Sequence, residues 1–300
     1  MKHAANDKIG LGIFGKMWGY IRLARPRQWI KNLFVFSALI FAKLIFEPVY
    51  LKTVFLATIS FCLISSCVYI LNDIFDADKD RVHPQKRTRP VAAGIVSKTE
   101  AWVLLIILLP VALIFGFYLN RGFGLILLLY FTNNVLYSTI VKHMVILDVM
   151  SIALGFLLRV IGGGVVIDVY ISQWILLCTL LLSLFLGFSK RRNELVILEE
   201  GADSHRKILK EYSLEFIDNM LSIVTASTVM AYSLYTFSSK NSYYMILTIP
   251  FVLYGVFRYQ YIVYQKKEGG SPEDAVLSDI PLMLCILLWV VVSIAILYLG

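Results

Sequence analysis

Leu71-Asn72-Asp73-Ile74-Phe75-Asp76-Ala77-Asp78-Lys79-Asp80 follows directly on an apolar run that begins near Leu51, placing four aspartates at the edge of a hydrophobic segment. On a helix, Asn72, Asp76 and Asp80 recur every four residues and share one face, with Asp73 beside them. Carboxylates held that close repel one another in a poorly hydrated setting, so the pattern demands a cation. An all-oxygen donor set without Cys or His favours Mg2+, which keeps waters and recruits phosphate oxygens as further ligands; Mn2+ is the natural substitute. The stretch therefore reads as a Mg2+-diphosphate site at a membrane surface.

The rest of the chain supplies the membrane. Hydrophobic residues make up 59% of the 300, and the mean hydropathy of +0.75 excludes an ordinary soluble domain. About nine mainly apolar stretches are long enough to span a bilayer. They lie near 29–46, 53–75, 100–119, 121–141, 144–166, 170–189, 217–238, 243–264 and 280–299. The expected fold is all-α: a polytopic membrane protein with one domain over residues 1–300. The N-terminal stretch is polar and lacks a short apolar core before a small-residue cleavage site, so no cleavable signal peptide is expected.

Of the 28 Lys and Arg residues, all fall on one predicted side except Lys43, Lys52, Arg121 and Lys240 opposite and Arg159 within a span. That asymmetry predicts a cytoplasmic N-terminus and, after the nine crossings, a C-terminus outside. The net charge of +8 is thus mostly a topology signal. The basic residues sit in short loops between spans, not in a soluble module, which argues against nucleic acid as a partner and leaves membrane lipids as the surroundings. Cys62, Cys67, Cys178 and Cys285 all fall inside predicted spans and read as small buried hydrophobes.

Two inner loops, about 76–98 and 190–215, are expected to carry the chemistry. In the first, Pro84 and Pro90 interrupt any helix. Lys86, Arg87 and Arg89 lie beside the acids, giving a bipolar surface on which metal holds one part of a phosphate and guanidinium another. A solvated loop obeying the positive-inside rule explains the arginines equally well, but that rule does not ask for clustered acids. The second loop opens with Lys190-Arg191-Arg192-Asn193-Glu194-Leu195. Anchoring to the membrane surface explains this cluster, and so does a second anion- or metal-binding wall. Glu194 stands four residues after Lys190 and could pair with it. His205 has no partner at metal-site spacing and reads as a loop residue. Ser97-Lys98-Thr99-Glu100 has the form of a capping box, and Ser271-Pro272 that of an N-cap followed by a first helical proline.

The fifth span carries Asp148, Ile152, Gly155 and Arg159 on one helical face. Ionisable groups inside a span are costly and face either an aqueous cavity or a partner, so both an anion site and a structural Arg–carboxylate pair fit the pattern. Gly162-Gly163-Gly164 permits close helix approach, which is ordinary in membrane bundles.

Asn72-Asp73-x-x-Asp76-x-x-x-Asp80 resembles the first signature of the UbiA-type intramembrane prenyltransferases, and Tyr137-Ser138-Thr139-Ile140-Val141-Lys142 is similar to their Tyr-x-x-x-x-Lys element. The resemblance covers essentially the whole chain and implies a bundle of nine helices around a lateral, lipid-accessible cavity. One branch is closer, the decaprenyl-phosphate phosphoribosyltransferases of the bacterial cell envelope. Arg25-Pro26-Arg27-Gln28-Trp29-Ile30-Lys31-Asn32, His83-Pro84 through Gly94, Gly155-Phe156-Leu157-Leu158-Arg159 and Lys190 to Leu195 are similar to its pattern. The chain departs from the aromatic prenyltransferases of the superfamily, which usually carry a second aspartate-rich motif between spans six and seven. Here that loop begins with cations, which suits a donor bearing a further phosphate; Glu199, Glu200 and Asp203 are acids that could substitute.

The resemblance implies a multi-pass transferase of a bacterial inner membrane, its site facing the cytoplasm, and a homo-oligomer is compatible with it. Mg2+ on Asp73, Asp76 and Asp80 would bind the diphosphate of 5-phosphoribosyl 1-diphosphate, and a polyprenyl phosphate would accept the sugar for cell-envelope precursor synthesis. Asn72 would orient the ribose or the metal shell. Tyr137, Lys142, Lys190 and Arg191 would position phosphates, aided by Arg87, Arg89, Asp148 and Glu194. Lys31 and Arg159 would hold the lipid phosphate. Two other readings stay open: transfer of a polyprenyl group from its diphosphate to an aromatic or other acceptor, and a membrane transporter, for which no convincing internal repeat is seen.

Overall fold

The longest apolar run folds as one 35-residue helix, Pro48–Val82, and carries the aspartate stretch on its last turns. The computed structural model describes residues 13–82, 86–199, 209, 211–238, 243–266 and 270–299. In chain order the helices are α1 (Ile13–Ala24), α2 (Ser37–Phe41), α3 (Pro48–Val82), α4 (Lys98–Leu119), α5 (Arg121–Thr139) and α6 (Leu147–Val166). They continue with α7 (Gln173–Glu199), α8 (Leu214–Ser238), α9 (Ile249–Tyr264), α10 (Pro272–Ser278) and α11 (Ile280–Leu299). Short 3-10 helices cover Pro26–Phe36, Lys86–Thr88, Val141–His143 and Tyr243–Thr248.

At 1.5 Å per residue α3 is about 52 Å long, against a hydrocarbon core of about 30 Å. Its C-terminal turns therefore stand clear of the lipid and lift Asn72–Asp80 to the interface. The expected loop at 76–98 is helical through Val82, and the expected loop at 190–215 is helical through Glu199. Both corrections have one cause. Lys, Arg, Glu and Ala are good helix formers in water, so a helix that leaves the lipid can continue through polar sequence, and α7 runs on past its own Gly187. Residues 83–85, 200–208 and 210, with His205 and the acids Glu200 and Asp203, lie outside the described residues.

Among the described residues, seven helices are long and apolar enough to cross a membrane, not nine. The run near 29–46 is split into the 3-10 helix Pro26–Phe36 and the five-residue α2, so it is no continuous span. The run near 121–141 does form α5, but Asn133, Asn134, Tyr137, Ser138 and Thr139 make its second half too polar to qualify. Those polar groups are used internally: Asn133 Nδ2 donates to the Ser151 carbonyl at 3.0 Å, and Ser138 Oγ donates to Asn72 Oδ1.

The capping box forms as expected. Glu100 N donates to Ser97 Oγ at 3.1 Å and Ser97 N to Glu100 Oε2 at 2.8 Å. Ser271 occupies the N-cap of α10 with Pro272 at its first position, although its side chain makes no capping bond. One apolar cluster joins the 3-10 helix Pro26–Phe36 to α3–α6 around Phe61, Phe123 and Tyr130; a second joins α6–α11 around Phe185, Leu221 and Tyr259. The rings of Phe61 and Phe123 meet edge-on at 5.6 Å. In the triple glycine, Gly163 is where the backbone of the 3-10 helix comes closest: an added Cβ would sit 2.0 Å from the Val35 carbonyl oxygen. Gly163→Ala should destabilise the protein by about 1–3 kcal/mol through overpacking against main chain that cannot rotate away. Gly255→Ala is the comparison, because its Cβ would meet nothing nearer than Cys285 Sγ at 3.9 Å. Thermal unfolding in detergent should show a clear drop for the first and little change for the second.

Candidate active site

A cavity of about 300 Å³ opens among α3, α5, α6 and α7, closed by the 3-10 helix Pro26–Phe36 and by α10. Eight Lys or Arg side chains and three carboxylates, Asp76, Asp80 and Glu273, line it. Such a surplus of positive charge in a concave site focuses anions, and multiply charged ones most. Of the residues expected at a site, Lys31, Asn72, Asp76, Asp80, Arg89, Tyr137, Lys142, Arg159 and Lys190 line this cavity.

The aspartates are each met by a cation. Asp76 Oδ1 lies 3.2 Å from Lys142 Nζ, which joins the first signature to the Tyr-x-x-x-x-Lys element. Asp80 Oδ2 accepts from Arg89 at 2.6 Å. Asp73 is only 1% exposed and pairs with Arg25, with Arg89 3.7 Å away. Asp78 points elsewhere: it is exposed and bonds Lys98 and Arg81, each at 2.8 Å. Arg87 is exposed and does not line the cavity, so the expected contact with substrate has no counterpart here.

A resident Mg2+ can be tested against this donor set. Among the described residues, no three Asp, Glu, His or Cys side chains converge to hold a metal by themselves. The expected triad of Asp73, Asp76 and Asp80 is therefore not preassembled, because Arg25 and Arg89 draw Asp73 into an ion pair. Asp76 and Asp80 do share the cavity with Asn72, and Asp73 Oδ2 is buried without a hydrogen-bond partner. Two carboxylates plus phosphate oxygens from a ligand are the usual provision for Mg2+, and the residues present fit it in that form.

The wall from α7 differs most from expectation. Lys190 lines the cavity, but Arg191 is fully buried (0% exposed) and does not. Its Nε donates to Asp148 Oδ2 at 2.6 Å, one terminal nitrogen donates to Glu194, and the other donates to the Tyr137 hydroxyl at 3.0 Å. Asp148, also 0% exposed, accepts a second bond from the Tyr212 hydroxyl at 2.9 Å. Burial pushes that hydroxyl up to about 12, so Tyr212 stays protonated and donates. Asp148, Arg191 and Glu194 thus satisfy one another instead of facing a ligand, and Glu194 pairs three residues back with Arg191. Arg192 is drawn off to Asp218 at 2.7 Å. Through Tyr137 this buried network still reaches the cavity.

Arg159 is the complementary case. Although only 4% exposed, it lines the cavity, and among the described residues no carboxylate lies within ion-pair distance. It donates to Asn32 Oδ1 at 2.8 Å, the Gly155 carbonyl at 2.8 Å and the Tyr130 hydroxyl at 2.9 Å. A guanidinium held by neutral acceptors is a standing attraction for an anion.

Several lining residues escaped sequence reasoning. Tyr130, Asn134 and Ser138 form a polar stripe at four-residue spacing on a largely apolar helix, a signal the sequence carried. Arg25 adopts a left-handed backbone (φ +52°), pairs with Asp73 and stacks over Tyr69 at 5.0 Å. Gln28 and Glu273 meet across 245 positions of chain, and no local pattern announces that.

A family model described as the UbiA prenyltransferase family matches residues 32–280. The decaprenyl-phosphate phosphoribosyltransferase of Mycolicibacterium smegmatis is 33% identical over 288 residues, covering 91% of this chain and 90% of that protein. The protein of the same name from Corynebacterium glutamicum is 32% identical over 282 residues, covering 91% and 84%. Among solved structures, a UbiA homolog from Archaeoglobus fulgidus bound to GPP and Mg2+ matches with a TM-score of 0.73 at 20% identity, covering 93% of this chain and 99% of that one. An apo UbiA homolog from Aeropyrum pernix K1 matches at 0.63 and 14% identity, covering 92% and 98%. At these identities the structural likeness is one of fold.

The buried ion network makes a measurable expectation. Asp148→Asn and Arg191→Met should each destabilise the protein by about 3–5 kcal/mol, because each leaves a partner's charge buried and unpaired. The double replacement should cost well under the sum of the two. A double-mutant cycle by unfolding in detergent measures the coupling, and strict additivity would remove the pair from its supporting role.

Proposed function

The chain belongs to the UbiA prenyltransferase family, and within it we propose that it transfers a 5-phosphoribosyl group from 5-phosphoribosyl 1-diphosphate to a polyprenyl phosphate, releasing diphosphate. The observation that carries this reading is the charge of the cavity. Eight cations from five different parts of the chain surround two aspartates on one helix face, which suits a donor with phosphate at both ends. The curated relatives at 31–33% identity carry the name of that activity, and a structural relative holds Mg2+. The chain is an integral membrane protein; with the charge asymmetry of its loops, the cavity would open to the cytoplasm, where a soluble phosphorylated sugar is available.

The chain's own residues would do the positioning. Asp76 and Asp80 would hold Mg2+ against the diphosphate, with Asn72, itself fixed by Ser138, turned to the ribose or the metal's water shell. When bound, the metal would stabilise the negative charge that grows on the departing diphosphate. Lys142 and Arg89 would turn from Asp76 and Asp80 toward phosphate oxygens. Lys190 on the far wall would take the 5-phosphate, and Tyr137, fixed by Arg191, would hydrogen-bond a phosphate between them. Arg159 and Lys31 would receive the phosphate of the lipid. As the bond from C1 of the ribose to the diphosphate oxygen breaks, a lipid phosphate oxygen bonds to C1; that oxygen is already anionic and needs no strong base.

Purified protein given labelled 5-phosphoribosyl 1-diphosphate, polyprenyl phosphate and Mg2+ should form an organic-soluble labelled product. Consumption of a polyprenyl diphosphate with an aromatic acid, and no labelled lipid, would replace this reading with the prenyl-transfer one. Asp76→Asn should lower turnover on the order of 10²–10³-fold while the protein stays folded. Lys190→Ala should raise the donor KM by about 10-fold or more and leave the lipid KM nearly unchanged; equal shifts in both would take the 5-phosphate away from Lys190.

A further inference from the structure

Among the described residues, Glu273 is the one carboxylate lining the cavity that does not belong to the aspartate helix. It is 7% exposed and enters from α10, set by the turn Gly270-Ser271-Pro272 against the 3-10 helix Pro26–Phe36. Gln28 Nε2 donates to its Oε1. Its Oε2 lies 3.0 Å from Lys31 Nζ, yet outside hydrogen-bond geometry, so that buried oxygen makes no hydrogen bond. Gln28 Oε1 is already occupied by Lys31 at 2.6 Å and Tyr69 at 3.3 Å. Burial raises the Glu273 carboxyl, but the Lys31 charge and hydrogen bonds from Ser271, its own backbone and Gln28 outweigh this and hold it at about 2. It is therefore an anion throughout the physiological range.

An ionised carboxylate inside a phosphate-binding cavity repels phosphate and cannot be satisfied by hydrocarbon. What it accepts is O–H, and it has lone pairs to spare. Resting on the phosphoribosyl-donor reading above, we propose that Glu273, steadied by Gln28, forms a hydroxyl-recognising subsite that receives the ribose 2- and 3-hydroxyls of the donor. The subsite enters the same cavity as Asp76 and Asp80 but from a different element, α10, so a sugar held there would keep its diphosphate on the aspartate helix and its diol on Glu273. A prenyl diphosphate has no hydroxyl to offer there and would leave Glu273 Oε2 without a hydrogen-bond donor, with only the Lys31 charge beside it. Recognition of this kind discriminates sharply, because the analogue lacking the group strands a buried acceptor.

The test is equilibrium binding to the full-length protein in detergent with Mg2+ and no lipid acceptor, so that no turnover intervenes. The probes are 5-phosphoribosyl 1-diphosphate, its 2-deoxy and 3-deoxy forms, and inorganic diphosphate. Wild-type protein should prefer the full ribosyl donor over at least one deoxy form by about 10-fold or more. Glu273→Gln and Glu273→Ala should bring that ratio close to one, mainly by weakening the full donor, while inorganic diphosphate binds all three proteins alike. A wild-type protein that does not distinguish the deoxy forms overturns the subsite without any variant. So do variants that keep the full ratio, or that lose inorganic diphosphate as strongly as the donor, which would mark Glu273 as structural. If wild-type protein binds inorganic diphosphate but none of the ribosyl compounds, the donor reading itself falls and the subsite with it.

Discussion

A guanidinium withdrawn completely from water must be answered on every side, and one end of this helix bundle is arranged around meeting that demand for Arg191. Its partners come from three helices: Asp148 from α6, Glu194 from α7 itself and the Tyr137 hydroxyl from α5. Asp148 in turn is held by Tyr212, just ahead of α8. None of these groups could be placed alone in so dry a setting, since a single buried ion costs several kcal/mol. Together they fix the relative heights of four helix ends. The tyrosine at the network's edge is the part the cavity sees.

The cavity obeys the same rule with looser pairs. Asp76 with Lys142 and Asp80 with Arg89 both lie on the cavity surface, although Asp80 itself is only 4% exposed. Such pairs are exchangeable: a ligand bringing phosphate and a divalent ion offers each carboxylate a cation and each cation an anion. Charge stays balanced while partners change. Asp73, nearly sealed and held by Arg25 and Arg89, is less free to exchange. The two classes of ion pair, sealed and exchangeable, sort by whether the carboxylate faces the cavity and not by residue type.

That distinction explains what the sequence could and could not show. The aspartate face, the Tyr137/Lys142 element, Arg159 and Lys190 were legible because each is a polar group at helical spacing beside an apolar run, and all of them line the cavity. The ends of α3 and α7 were misplaced because hydropathy marks where lipid stops, not where a helix stops. The run near 29–46 does not form one long apolar helix because a hydrophobic run of sufficient length can break into a 3-10 helix and a short α-helix. Arg191 and Asp148 were read as ligand contacts because a charge in a dry place looks the same in sequence whether its partner is a substrate or another side chain. Glu273 was invisible, since its meaning lies in a contact made across the whole length of the fold.

The cationic opening of 190–194 also takes on a narrower meaning. In sequence it stands as a block of three cations where related enzymes carry acids. In the structure only Lys190 lines the cavity; Arg191 is spent on Asp148 and Glu194, and Arg192 on Asp218. Whatever that wall contributes to choosing a substrate it contributes with one ammonium group, not three charges. A single point charge attracts phosphate but does not distinguish the molecule carrying it. Selectivity must then come from groups that a bare phosphate leaves unsatisfied, and among the described lining residues Asn72 and Glu273 are acceptors suited to hydroxyl hydrogens. Attraction and discrimination are in this way assigned to different groups in the same cavity, the first to cations gathered from five parts of the chain, the second to a carboxylate carried in by the short helix before the last span.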